Sequence, residues 1–551
     1  MGSPTSLFSW KSGSATKYPI PGLKSHEGID GVSCEAFDKD GTLWVGITVA
    51  GPGLGLQQLV QGVLKPFNTP QLRGESLEVL SLLVDHNDNL WVGTVSQGIY
   101  RIHGTSVDHF QSKDGLSSDL VDQFYEDREG TIWATTAKGM DSFHDLSITS
   151  FSTREGLSAD AVDTVLASSD GAVWLGNVQN IDVVKNGSIT SIGAAQGFRR
   201  NQVTSLFQDH AGRMWIGADN SLSIYQDGKF TSVKRPDDTP IGVIVGITED
   251  TDRTIWVETI GPPRTLLHIR DTKVLEMFPA PQTPSARKVA ADPSKGVWLG
   301  LMNGNLMRLQ DGNKLLVDFH HDSTPEVNQL IVKPDGSVLG ATTIGLVGWK
   351  NGRQQMLTAR NGLPCNNFYA LISDKQNALW LYTECGVMEI ANVEIERWWE
   401  HPDATLQFRL FDSADGAQPG FAHFNGAAMT PDGKIWFASG TLLQMIDTAN
   451  LHRNVTPPLV HVETMVADHK SYLPEQGLQL PPLTRDLEID YTALSFVVPR
   501  KVKFRYILEG HDAGWSSCFP FSLLVIPSFV SLLHVVLLLF QDSFVIFSVF
   551  L

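Results

Sequence analysis

Carboxylates, histidines and cysteines supply most protein chemistry, and this chain of 551 residues holds 60 Asp and Glu, 16 His and 4 Cys. Their spacing decides what they can do. Asp85-His86-Asn87-Asp88-Asn89 and Asp250-Thr251-Asp252 place oxygens at the interval of a calcium loop. Neither is followed by the bidentate glutamate such a loop needs, so both read as turns in which aspartate accepts from its own backbone. Cys34, Cys365, Cys385 and Cys518 contain no C-x-x-C pair and no histidine at zinc spacing. Cys365 and Cys385 flank one strand pair and read as neighbouring thiols rather than a disulfide. Ser, His and Asp form no nucleophile elbow, and there is no phosphate-cradling G-x-x-x-x-G-K. No catalytic residue, metal ligand or cofactor follows from these patterns. An active site assembled from single residues far apart in the chain would leave no such spacing.

The best binding candidates lie in Ile395-Glu396-Arg397-Trp398-Trp399-Glu400-His401-Pro402, a stretch that interrupts an otherwise regular repeat. Neighbouring Trp398 and Trp399, with Arg397 and His401 beside them, would suit stacking on a sugar ring or an aromatic ligand. The competing reading is that one tryptophan packs the insertion onto the fold.

The repeat that must position these residues begins as Asp38-Lys39-Asp40-Gly41-Thr42-Leu43-Trp44-Val45-Gly46. Its tryptophan recurs as Trp91, Trp133, Trp174, Trp215, Trp256, Trp298, Trp380 and Trp436, with Leu339 standing in one slot. Successive differences are 47, 42, 41, 41, 41, 42, 41, 41 and 56. A period near 41 with four short strands and Gly/Asp/Asn turns is that of a propeller blade. In the copy at Trp133 the strands read as residues 121–125, 131–136, a run after Lys138-Gly139, and 148–151. A blade cannot bury both sheet faces alone, so the tryptophans are first of all packing between blades. Replacing one by Ala should cost ~3–5 kcal/mol. Leu339 is the smallest anchor and marks the blade expected to be least protected.

The fold expected is all-β. Residues 1–151 hold three blades of a partial propeller and 152–456 a seven-bladed ring, although spacing alone also permits seven followed by three. Residues 457–515 alternate as an incomplete Ig-like β-sandwich, and 516–551 form a hydrophobic tail, either a membrane segment or a reading-frame scar. Residues 1–10 lack a charged segment followed by an apolar core and do not read as a signal peptide. Lys plus Arg total 42, giving a net charge of -18. That balance argues against nucleic acid or anionic lipid as a partner.

Asp127-x-x-Gly130-x-Ile132-Trp133 and the linkers Gly115-Leu116-Ser117 and Gly156-Leu157-Ser158 resemble two-component regulator propeller repeats. Residues 487–515, with Asp490-Tyr491, Phe504-Arg505-Tyr506 and Leu508-Glu509-Gly510-x-Asp512-x-x-Trp515, are similar to the start of the triple-tyrosine (Y_Y_Y) domain. The resemblance implies the periplasmic sensor region of a hybrid two-component regulator, without catalysis in this chain. It implies an unidentified small-molecule or carbohydrate ligand, membrane association in the parent protein and a homodimer formed through the sandwich. No ATP-binding box, phosphoacceptor helix, receiver or DNA-binding helix pair is legible. A propeller enzyme, such as a lyase or a quinoprotein, and a protein-interaction scaffold are the alternatives.

Overall fold

The computed structural model describes residues 6–20, 22–23 and 31–451 except 179, 262 and 321–324, then 458–474, 478–481, 484, 486–502, 504–509 and four short strands beyond. It divides into two units, residues 1–145 with 453–551, and residues 146–452.

Each blade is an antiparallel sheet, and in all but one its strands follow one another in sequence. The turn before the second strand explains why the acidic residues recur. In Asp85-His86-Asn87-Asp88-Asn89, Oδ1 of Asp85 accepts from the backbone N–H of Asn87 and Asn89, and Oδ2 accepts from Trp91 Nε1 at 2.8 Å. The same aspartate–indole bond joins Asp38 to Trp44, Asp127 to Trp133, Asp209 to Trp215, Asp250 to Trp256, Asp292 to Trp298 and Asp374 to Trp380. Burial alone would raise the carboxyls of Asp85, Asp209 and Asp250. The indole and backbone donors outweigh it and hold all three below the usual range. These acids are structural. Where Leu339 replaces tryptophan, the position six residues earlier is Lys333 rather than aspartate, since no indole N–H needs an acceptor there.

Residues 146–452 form the seven-bladed ring. Six blades take all four strands in order, from Thr164–Ala167 of the first to Arg409–Phe411 of the sixth. The seventh has only Ala427–Met429, Lys434–Ala438 and Leu443–Asp447 of its own. Its fourth strand is Ile148–Phe151, paired antiparallel with Leu443–Asp447 so that Ile148 faces Ile446 and Phe151 faces Leu443. Residues 148–151 therefore pair within this ring instead of completing the Trp133 blade. Ile148 is buried among Trp380, Tyr382, Phe437 and Ile446.

The insertion in the sixth blade is a helix, Asn392–Glu400, that returns the chain to the edge strand. Ile395, Trp398 and Trp399, spaced i, i+3 and i+4, make its buried face. Both indoles pack with Leu339 against the fifth blade. A Cβ built on Gly348 would lie 2.8 Å from Trp399 and 2.9 Å from Trp398, so glycine lets the rings reach the sheet. The helix thus supplies the aromatic bulk that Leu339 lacks, and Leu339 itself is fully buried. Cys365 and Cys385, expected as thiols, are joined in a disulfide in the same core, with Cα atoms 6.3 Å apart.

In the other unit, among the described residues, the blades of Trp44 and Trp91 have four strands and that of Trp133 has three. The sandwich consists of two four-stranded sheets with Val462, Met465, Leu487, Ile489, Tyr491 and Phe504 in its core. The apolar tail, expected as a membrane segment or a scar, contributes strands: Leu524–Pro527 pairs with Asp486–Leu494, and His534–Leu539 with Phe504–Glu509. Among the described residues no helix is long and apolar enough to cross a membrane. Residues 510–515, which carry part of the triple-tyrosine resemblance, lie outside the described residues.

Candidate functional site at one end of the ring

The innermost strand of most blades carries a one-residue register shift near its start, a bulge that re-aims a side chain. In the ring the shifted positions are Thr204, Val245, Arg287, Asn328 and Tyr369, and Asp163 stands 41 residues before Thr204. Three of these meet a single crossing segment, residues 417–426, between the sixth and seventh blades. His423 Nδ1 lies 3.0 Å from Asp163 Oδ1 of the first blade. The Arg287 guanidinium of the fourth blade sits 5.4 Å from the Phe421 ring and donates to the His423 carbonyl at 3.1 Å. The Tyr369 ring of the sixth blade is 5.9 Å from Phe421, edge to face. Contacts to non-adjacent blades mean that the segment spans one end of the central channel.

Lys288 Nζ donates to Phe424 O at 2.7 Å, tying the fourth blade to the same segment. Burial lowers the Lys288 pKa to about 7, with Arg287 adding to the effect and Glu326 opposing it. Arg287 is paired with Glu326 and its side chain is 17% exposed, whereas His423 is 67% exposed. Burial, with the charge of Glu384, raises the Tyr369 phenol. An aromatic pair, a fixed guanidinium and hydroxyl-sized acceptors and donors at one mouth form a surface suited to a polyhydroxylated ligand.

The peptide group preceding Arg287 is held from both sides. Arg264 donates to Ala286 O at 3.0 Å, and Glu258 accepts from the Ala286 N–H. Burial pushes Glu258 up to about 8 although Arg264 opposes it. The folded protein therefore keeps a proton that the unfolded chain gives up near 4.5, and stability falls as pH rises through that window. Glu258→Gln removes this titration, so its stability relative to the parent should climb between pH 4.5 and about 8 in urea melts. A difference that stays flat with pH would contradict it.

The residues singled out in the insertion are placed elsewhere. Trp398 is fully buried and Trp399 is 8% exposed, their centroids 4.6 Å apart, so neither offers a free ring face to a ligand. Arg397 pairs with Glu394 at 3.2 Å. His401 is exposed and its N–H closes the helix on Arg397 O. None of the four contacts the channel segment in any bond or ring pair described here. The signal for the mouth was present as the 41-residue phase of Asp163, Arg287 and Tyr369, but only the bulge shows which phase faces the axis.

A family model of the two-component regulator propeller matches residues 197–220, the turn-and-strand portion leading through Trp215. The repeat at Trp215 matches the two-component regulator propeller repeat. No curated protein matches the chain by sequence. Among solved structures, the extracellular domain assigned to the hybrid two-component system BT3049 of B. thetaiotaomicron superposes with a TM-score of 0.71 at 17% identity, covering 99% of this chain and 76% of that one. The extracellular domain assigned to the hybrid system BT4673 of the same organism aligns at 15% identity over 100% of this chain and 78% of that one, with a TM-score of 0.45. A streptogramin B lyase structure aligns at 17% identity over 54% and 97%, TM-score 0.44. The first likeness shows that this chain shares the fold of that extracellular domain. The other two superpose too loosely to bear on function.

Proposed function

We propose that this chain is the sensing region of a two-component signalling regulator, placed outside the cytoplasm, and that it binds a small molecule or glycan without transforming it. The observation carrying this reading is the convergence of Asp163, Arg287 and Tyr369 from three blades on residues 421–423. A ligand seated there touches several blades and the segment between the sixth and seventh at once, which is what a sensor needs in order to turn occupancy into a shape change. The regulator propeller repeat and the likeness to an extracellular domain of a hybrid system support the signalling context.

The test is calorimetric titration of the protein with a panel of neutral and acidic oligosaccharides, with the sugar recovered and weighed by mass spectrometry. A sensor returns its ligand intact. Tyr369→Ala and His423→Ala should each weaken binding by about ten-fold, the worth of one aromatic or charge-assisted contact, while leaving the melting temperature nearly unchanged. Unaltered affinity in both variants would remove the mouth as the binding site. A shortened or eliminated sugar would replace sensing with catalysis.

A further inference from the structure

The connectors that enter the Trp133 and Trp174 blades are tied down by hydrogen bonds. In Gly115-Leu116-Ser117 the serine donates to Asp141 through its N–H at 3.1 Å and its Oγ at 2.7 Å. In Gly156-Leu157-Ser158 the serine donates to Asp182 in the same way, at 2.8 and 2.9 Å. Each aspartate stands on the third strand opposite the residue that follows the blade's tryptophan, Ala134 in one and Leu175 in the other.

The connector into the sixth blade starts alike with Gly362-Leu363 but continues with Pro364, which has no N–H to give. The place of the aspartate, opposite Leu381, is taken by Met388, which offers no oxygen. Both halves of the tether are gone. The next connector residue, Cys365, is instead bonded to Cys385 in the turn between the second and third strands.

This bond braces the mouth. Cys365 lies four residues before Tyr369, and Cys385 directly follows Glu384. The Glu384 N–H donates to Asn367 O at 3.1 Å, and Glu384 is near enough for its charge to help raise the Tyr369 phenol. Asn367 Oδ1 is buried with no partner among the described residues, so that side chain adds no anchor. Cys365 is buried with Leu363, Phe368 and Leu406, whereas Cys385 is only partly buried beside the exposed Glu384. A small dithiol therefore meets Cys385 first.

We infer that the Cys365–Cys385 disulfide is the strut that positions Tyr369 and Glu384, and that its two-electron reduction by a dithiol frees residues 362–367 and weakens ligand binding while the ring stays closed. This takes the mouth to be the binding site. One thiolate of the dithiol attacks Cys385 Sγ, the S–S bond breaks, and Cys365 leaves as a thiolate that takes up a proton. The second thiol of the reductant then attacks the mixed disulfide, so that Cys385 also ends as a thiol and the reductant departs as a cyclic disulfide. The pairing of Ile148–Phe151 with Leu443–Asp447 involves neither cysteine and is left intact.

The test is hydrogen exchange of the full chain before and after dithiothreitol, with non-reducing peptide mapping to score the bond. Mapping of the untreated chain should recover Cys365 and Cys385 joined. On reduction the amides of residues 366–369 and 384–386 should exchange at least about ten-fold faster, with Val203–Gln208 and Leu443–Asp447 unchanged. Cys365→Ser combined with Cys385→Ser should give the same pattern without reductant. An oligosaccharide that binds the untreated chain should bind the reduced chain several-fold more weakly. Unjoined cysteines, unchanged exchange at residues 366–369, or equal loss of protection in every blade would overturn the strut, the last because the bond would then merely hold the fold. Faster exchange with unaltered sugar affinity would overturn the link to binding. A chain that binds no sugar removes the proposed function, and the exchange measurement, which needs no ligand, still decides the strut.

Discussion

A fragment of residues 146–452 is expected to fold and melt as one cooperative unit, while a fragment of residues 152–456, the limits suggested by repeat spacing, is expected to melt at least ~10 °C lower or to associate through its open blade. Only the first contains Ile148–Phe151, the strand that joins the seventh blade to Leu443–Asp447. Ile148 is 1% exposed, and Phe151 packs on Trp436. Removing them forfeits the burial of two large apolar side chains and a four-residue ladder, together ~5 kcal/mol. It also bares the edge of the seventh blade. Scanning calorimetry and sedimentation decide the matter. Identical melting of the two fragments would mean that the ring is held by blade-to-blade packing alone.

The second large effect is expected at Trp398. Trp398→Ala empties the space between the helix Asn392–Glu400 and the fifth blade, and should cost ~3–5 kcal/mol in denaturant melts. Trp398→Phe should cost only ~1 kcal/mol, because Trp398 Nε1 is buried without an acceptor among the described residues and its loss leaves nothing newly unpaired. Hydrogen exchange should localise the damage. In Trp398→Ala the amides of Val338–Thr342 and Gly345–Lys350 should exchange faster, since Leu339 and Gly348 lose the rings that cover them. If Trp398→Ala melts within ~1 kcal/mol of the parent, the helix is an ornament on the ring and the Leu339 blade stands unaided.

These two results mark where the sequence was legible and where it was not. The 41-residue period, the four-strand blade and the regulator propeller repeat are local patterns, repeated often enough to read without a structure. Ownership of residues 148–151 is not local, because Ile148-Thr149-Ser150-Phe151 satisfies the same strand chemistry beside Gly139–Phe143 or beside Leu443–Asp447. Ring closure decides, and it acts across almost three hundred residues. The helix was legible in Ile395, Trp398 and Trp399 at i, i+3 and i+4, but the conspicuous paired tryptophans suggested a ligand surface when they are core. The tail misled for a related reason. Apolar runs of four to six residues suit a buried strand as well as a membrane, and hydropathy summed over a long window does not tell the two apart. The mouth of the channel was the least legible, since Asp163, Arg287 and Tyr369 are unlike in type and share only their place relative to a bulge.

The closing strand also sets an order of events during synthesis. Ile148–Phe151 leaves the ribosome 292 residues before Leu443 exists to receive it. At ~5–20 residues per second this is a wait of roughly 15–60 s. Throughout that interval an unpaired four-residue strand follows a blade that lacks its own fourth strand, and the two match in pattern. The nascent chain can therefore form a local hairpin first and must give it up when the seventh blade arrives. Translation rate should accordingly influence how much of the protein is released with its ring shut, and slow codons between the sixth and seventh blades would raise the share that is trapped open.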